Sequence, residues 1–361
     1  MTALLAAACG STNSPATGNV TPATTNPSPT TTSSPSQQDP CPPPSNRCLA
    51  LVTLRGSNSY AVRDITDISH AKTVSNLGQI SLPMFVNATE LSYADDSGLV
   101  RAPLAGSPKT PLATSQGFVS YAFAWSPDGS TVVYLTQTGS AMALHQVNAG
   151  VDRVLAASMP AMPAVGCETQ FCSLTDAWDF RLSYSPDGSS ISLVDSVLSV
   201  NVFRLWTSGG KVLNSSDSQS RFMSVWSGSS LYFRDAKGVE VWRDGVTSSF
   251  LPGLAWIRPK ASPAGGQIVY ETRDAQGWAH TFVVDTTTRE VRELKKARSE
   301  PVFLTSRYIW YKGERSCVAA DNCPSGWSVV ASGKTYIYDL QAGTETESII
   351  TSVADVWPHA A

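Results

Sequence analysis

The chain has 361 residues, with 26 Lys and Arg against 29 Asp and Glu, a net charge of −3, and only 15% of its residues charged. No basic run supplies the clustered Lys and Arg that phosphate binding needs, which argues against a nucleic-acid partner. No apolar run reaches the roughly 18 residues of a membrane span, so any hold on a membrane would have to come from an anchor.

The first residues, Met1-Thr2-Ala3-Leu4-Leu5-Ala6-Ala7-Ala8-Cys9-Gly10-Ser11, form a short apolar run, then small residues, then a cysteine. This resembles the end of a bacterial lipoprotein signal, with Ala7 and Ala8 at the small positions and Cys9 as the residue that receives lipid. The resemblance implies a protein outside the cytoplasm, periplasmic or at the cell surface, held to the membrane through lipid alone. The other reading of Cys9 is a free cysteine in a flexible tail. Residues 11–40 are largely Ser, Thr, Pro, Asn and Ala, with Asp39 the single charge. Such a stretch cannot bury enough apolar surface to offset its ordering entropy. The chain thus divides into a signal remnant (1–9), a disordered tether (10–47) and a folded domain (48–361).

Six further cysteines fall in three close pairs: Cys41 with Cys48, Cys167 with Cys172, and Cys317 with Cys323. An even set of close pairs reads as three small-loop disulfides in an oxidising compartment. No pair has a two-residue spacer and no His lies near one, so no metal is expected.

From Leu49 onward the pattern is strands and turns. Residues 49–55 and 60–65 read as strands, and 71–77 as a third. Residues 83–93 are a strand, a turn and a strand. At Trp125-Ser126-Pro127-Asp128-Gly129 the turn becomes specific, set between apolar strands. Ser starts it, Pro fixes φ at the second position, and Gly can adopt the left-handed conformation that closes a hairpin. Tyr184-Ser185-Pro186-Asp187-Gly188 repeats the unit. Degenerate copies are centred on Ser227, Ser262 and Thr305. Taking Asn87 as the earliest, the turns recur about 40 residues apart, which suits a four-stranded blade, with one longer step between Ser126 and Ser185. Third strands are expected near 143–147, 202–206, 239–242, 281–285 and 335–339. No helical period of useful length occurs. Residues 353–357 read as a first strand with nothing after it, and 49–77 as strands lacking a first strand. Joining the two ends completes a seventh blade and removes a long open edge.

The Ser-Pro-Asp-Gly hairpins resemble the WD-repeat-like β-propeller repeats of the TolB type, over residues 48–358. The expected fold is therefore all-β, a propeller of seven four-stranded blades closed by pairing N-terminal strands with the C-terminal strand. Six blades, common in that family, are the alternative. The family implies a periplasmic or surface protein that binds other molecules, with no conserved catalytic set.

In such a fold, turns between first and second strands lie on one face of the disc. Loops between second and third strands, and the blade-to-blade connections, lie on the other. The cysteine-bearing insertions at 167–172 and 317–323 fall on that second face. Phe171, Trp178, Trp278 and Trp327 lie in or beside its loops and are candidates for carbohydrate or protein contact; alternatively, each packs its own loop. Arg181, Arg258 and Lys260 sit on expected innermost strands, where they either line the central channel or pair with Asp179 or Glu300.

Nothing local marks an enzyme. The four His, at 70, 145, 280 and 359, share no ligand spacing. There is neither a Gly-x-Ser-x-Gly elbow nor a phosphate-binding Gly loop. The reading is a monomeric, cofactor-free binding or scaffold module for an envelope protein or glycan. The alternative is a propeller enzyme acting on glycans through channel carboxylates, which an acid pair at the channel mouth would favour.

Overall fold

The computed structural model describes residues 41, 47–54, 59–114, 117–139, 141–160, 181–197, 200–216, 222–318 and 328–359. Among these, seven four-stranded antiparallel sheets form the blades of a β-propeller, and the one helical element is a 3-10 turn at Ile68–His70. No helix among the described residues is long and apolar enough to cross a membrane.

Blades 1 to 6 run in chain order over residues 81–114, 118–160, 181–216, 222–252, 257–296 and 298–347. Blade 7 is composite. Its innermost strand is Asp355–Trp357, followed outward by Leu49–Thr53, Ser59–Asp64 and Lys72–Gln79. Leu49 pairs with Trp357 and Leu51 with Asp355, so the two ends of the domain share a sheet as the repeat pattern predicts. The count is seven, not the alternative six.

The two Ser-Pro-Asp-Gly turns are superposable in their bonding. Gly129 N–H donates to Ser126 O at 2.8 Å, and Gly188 N–H to Ser185 O at 2.8 Å. In each turn the Asp carboxylate accepts the backbone N–H two residues on, Ser130 at 3.1 Å and Ser189 at 3.0 Å. Both glycines are left-handed, with φ of 66° and 70°. The third copy keeps the bond, Gly265 N–H to Ser262 O at 2.8 Å, without the aspartate.

The core is divided among the blade interfaces. In the second strand of blade 2, Val132 and Tyr134 pack toward blade 1 with Val86 and Leu99, while Val133 and Leu135 pack toward blade 3 with Leu182 and Leu193. Blade 5 does the same: Ile268 and Tyr270 face blade 4, and Val269 faces blade 6. A strand covered on both faces must be apolar at successive positions, and so these segments read as continuous runs rather than alternating ones. Seven such clusters, one per interface, include the closing one between blades 7 and 1, where Leu49, Leu51 and Val62 meet Phe85 and Leu91.

A disulfide joins Cys41 to Cys48 with Cα atoms 5.5 Å apart, and both cysteines are buried against blades 6 and 7. Cys9, Cys167, Cys172 and Cys323 lie outside the described residues.

Candidate functional site

The innermost strands begin with an irregularity that recurs around the ring. The pairing of first to second strand slips between Ser81 and Met84, Phe222 and Val225, Ile257 and Lys260, and Ser299 and Val302. At each slip a non-glycine residue is left-handed: Leu82 (φ 47°), Met223 (52°), Arg258 (50°) and Glu300 (54°). A β-bulge of this kind turns a side chain out of the regular pleat. For a residue with a Cβ the conformation costs roughly 1–3 kcal/mol. In three of the four, proline follows: Pro83, Pro259 and Pro301. Proline has no N–H to leave unpaired where the ladder is broken.

All four left-handed residues line one cavity of 820 Å³. It also takes in Thr53 and Tyr60 of blade 7, Tyr93 and Asp95 of blade 1, and Lys260 and Lys312 of blades 5 and 6. These residues lie at the end of the innermost strands away from the Ser-Pro-Asp-Gly turns. That is the face to which the connections between blades return, where the segments 161–180 and 319–327 leave and rejoin the described chain.

One wall is an ion network. Glu271, in the second strand of blade 5, is fully buried. One of its oxygens accepts the backbone N–H of Glu300 from the bulge of blade 6 at 2.6 Å. The other lies 3.5 Å from both Arg258 Nη1 and Arg273 Nη2. Burial pushes the Glu271 carboxyl above its usual range, and Arg258, the Glu300 N–H and Arg273 offset this only in part. Glu300 itself is 2.6 Å from Lys312 Nζ and 3.8 Å from Arg258. Arg273 also reaches Glu314 at 3.2 Å. On the blade 1 side, Lys109 Nζ pairs with Asp95 at 3.1 Å and lies over the ring of Tyr93.

Of the residues singled out from sequence, the structure brings Arg258 and Lys260 into the cavity and puts Arg258 within range of Glu300. Arg181 begins the innermost strand of blade 3, but its side chain is outside the described part. Trp278 is half-buried off the cavity, its backbone N–H donated to Asp274 Oδ1 at 2.9 Å, in a loop that the Ser328 hydroxyl of blade 6 also holds through the Gln276 carbonyl. Phe171, Trp178 and Trp327 lie outside the described residues. The sequence did not reveal Lys312 and Tyr60, which line the cavity, or Glu271, buried behind its wall. The available signal was the residue-proline pair opening three innermost strands. Among the described residues no group of three or more His, Cys, Asp and Glu is placed to hold a metal ion.

No protein-family model matches the sequence, and no curated protein does so either. Solved structures resemble the fold. A prolyl endopeptidase matches at 13% identity and a TM-score of 0.57, over 89% of this chain and 50% of that one. An oligogalacturonate lyase in complex with manganese matches at 12% identity and a TM-score of 0.52, over 83% of each chain. TolB from Acinetobacter baumannii matches at 13% identity and a TM-score of 0.48, over 86% of this chain and 66% of that chain. At these identities the likeness is one of architecture. The repeat, the seven four-stranded sheets with their shared terminal blade, and the two matches with TM-scores above 0.5 together make the chain a seven-bladed β-propeller.

Proposed function

We propose that this protein is a lipid-anchored, extracytoplasmic propeller that binds an envelope protein or glycan in the cavity at its channel mouth. One observation carries the reading. The strand Leu49–Thr53 runs from Cys48, where the chain joins the propeller, to Thr53, which lines the cavity. The chain therefore arrives on the face opposite the cavity. With lipid on Cys9 and residues 10–47 as tether, the attachment would enter at the face that leaves the cavity uncovered. The cavity has the volume of a small-ligand site and mixes apolar, aromatic and charged walls, as such sites do.

Mass spectrometry of the mature protein tests the anchor: diacylglycerol on Cys9 is expected, and an unmodified N-terminal peptide carrying Cys9 would refute it. Capture of envelope components on the immobilised protein tests the binding face. Ser224→Trp, which fills the cavity from the blade 4 bulge, should abolish capture, while a change on the opposite face, such as Ser130→Trp, should not.

A second reading, a propeller enzyme acting on glycans, draws on Glu271. A buried carboxyl with a raised pKa, beside a second acid, is the kind of group acid catalysis employs. Here, however, both acids are held by cations, and Glu271 is committed to a backbone N–H. Turnover of envelope glycans that Glu271→Gln abolishes, with melting temperature unchanged, would decide for the enzyme.

A further inference from the structure

Arg258 shows the widest gap in the cavity between what it can donate and what it is given. A guanidinium carries five N–H donors in a planar fork. Among the described residues, Arg258 makes one hydrogen bond, Nη1 to Glu271 at the long distance of 3.5 Å. Its ion pair with Glu300, at 3.8 Å, is beyond hydrogen-bond range. Both carboxylates have closer partners, Glu271 in the Glu300 N–H at 2.6 Å and Glu300 in Lys312 at 2.6 Å. The side chain is only 29% exposed, so water has restricted access to the remaining donors. The left-handed bulge and Pro259 hold its backbone at the cavity rim.

We infer that the Arg258 fork receives the carboxylate of a small ligand in a two-point contact, with Lys260 and Lys312 beside it. This rests on the cavity being the binding site proposed above. Two parallel N–H···O bonds are the geometry in which a guanidinium and a carboxylate match best. The cavity volume of 820 Å³ accommodates a few sugar or amino-acid units. Glu300 is the internal rival for the same cations, so it weakens the ligand's hold.

The test is calorimetric titration of the full-length protein with two acid and neutral pairs: a uronic-acid trisaccharide and its methyl ester, and a tripeptide with a free C-terminus and its amide. At least one acid should bind roughly tenfold more tightly than its neutral partner, the worth of one charge-assisted contact. The pair that discriminates identifies the scaffold. Arg258→Gln should remove the preference. Glu300→Gln, which leaves Arg258 in place, should tighten acid binding severalfold and leave the neutral ligand unchanged. Acids that bind no better than their neutral partners, or not at all, would overturn the inference, as would a preference that survives Arg258→Gln in a variant with wild-type circular dichroism. Equal binding of acid and neutral forms refutes the carboxylate contact while leaving the cavity reading intact. A preference for the acid that persists in Ser224→Trp refutes the cavity.

Discussion

The carboxylate of Asp355 accepts the backbone N–H of Phe85 at 2.8 Å, tying the last strand of the chain to the first strand of blade 1. Asp355 thus joins two blades that are consecutive in space and 270 residues apart in sequence. Asp355→Ala leaves a buried N–H without a partner and should lower stability by about 1–3 kcal/mol. Asp355→Asn keeps an acceptor for that N–H and should cost less, losing chiefly the contact to His359 at 3.1 Å. Denaturant melts of the two variants test the ordering.

A related link spans two other interfaces. Trp125 Nε1 donates to Ser92 Oγ at 2.6 Å, and Trp226 Nε1 to Ser192 Oγ at 2.8 Å, with both serines fully buried. Ser92→Ala and Ser192→Ala should each cost about 1–3 kcal/mol, because the indole N–H is left unsatisfied in the core. The two sites lie in different interfaces, so the double variant should be additive to within about 0.5 kcal/mol. A strongly non-additive result would mean that blade interfaces communicate.

The two glycines of the Ser-Pro-Asp-Gly turns are not equally replaceable. Both have positive φ, so Ala is strained at either position by roughly 1–2 kcal/mol. At Gly129 an added Cβ would also fall 2.7 Å from the backbone oxygen of Val86 in blade 1. At Gly188 the nearest atom is the Cδ of Pro127, at an ordinary 3.5 Å. Gly129→Ala should therefore lower the melting temperature clearly more than Gly188→Ala, although the local sequences are the same.

Acid should unfold this protein through its carboxylates. The Ser126 hydroxyl and the Ser130 N–H and hydroxyl hold the Asp128 carboxyl below its ordinary value of 3.8. Arg307 does the same for Asp339, and Arg101 lowers Glu90 from 4.5. A group whose pKa is depressed on folding stabilises the native state above its unfolded value, and that contribution fades as pH falls through the folded one. From these three carboxylates alone, the melting temperature should hold steady above about pH 5 and fall below about pH 4. Asp128→Asn should make that acid limb shallower. Glu271 acts in the opposite sense, since its raised pKa favours the native state as pH falls. Its contribution grows as pH falls toward the unfolded value of 4.5 and is constant below it, so Glu271→Gln should remove that gain above about pH 4.5 and leave the limb below about pH 4 unchanged.

The architecture was legible because it rests on local chemistry. Ser126–Gly129 and Ser185–Gly188 each announce a hairpin by residue type alone, and their spacing sets the blade. The closure followed from counting strands at both ends, since 353–357 had no second strand and 49–55 had no first. The site was less legible because its members come together only through the ring. Glu271 lies in the middle of a strand and Lys312 in the next blade, and nothing local links either to Arg258. Of the aromatic residues chosen from loop position, Trp278 turns aside from the cavity, and Phe171, Trp178 and Trp327 lie outside the described residues. The bulges at Leu82, Arg258 and Glu300 carry a local mark, the proline that follows each, whereas Met223 is followed by serine and has none.

The shared sheet of blade 7 also sets a timetable. Thr53 and Ser352 hydrogen-bond across 299 positions, so Leu49–Thr53 is made long before the strand that will cover its free side. Until then its unpaired edge is open to any passing strand, including one from another nascent copy. Contacts of such sequence separation slow folding. Closure of the ring thus waits on the capture of three residues, Asp355–Trp357, by the strand Leu49–Thr53, and until then the open edge is safest away from other copies of the chain.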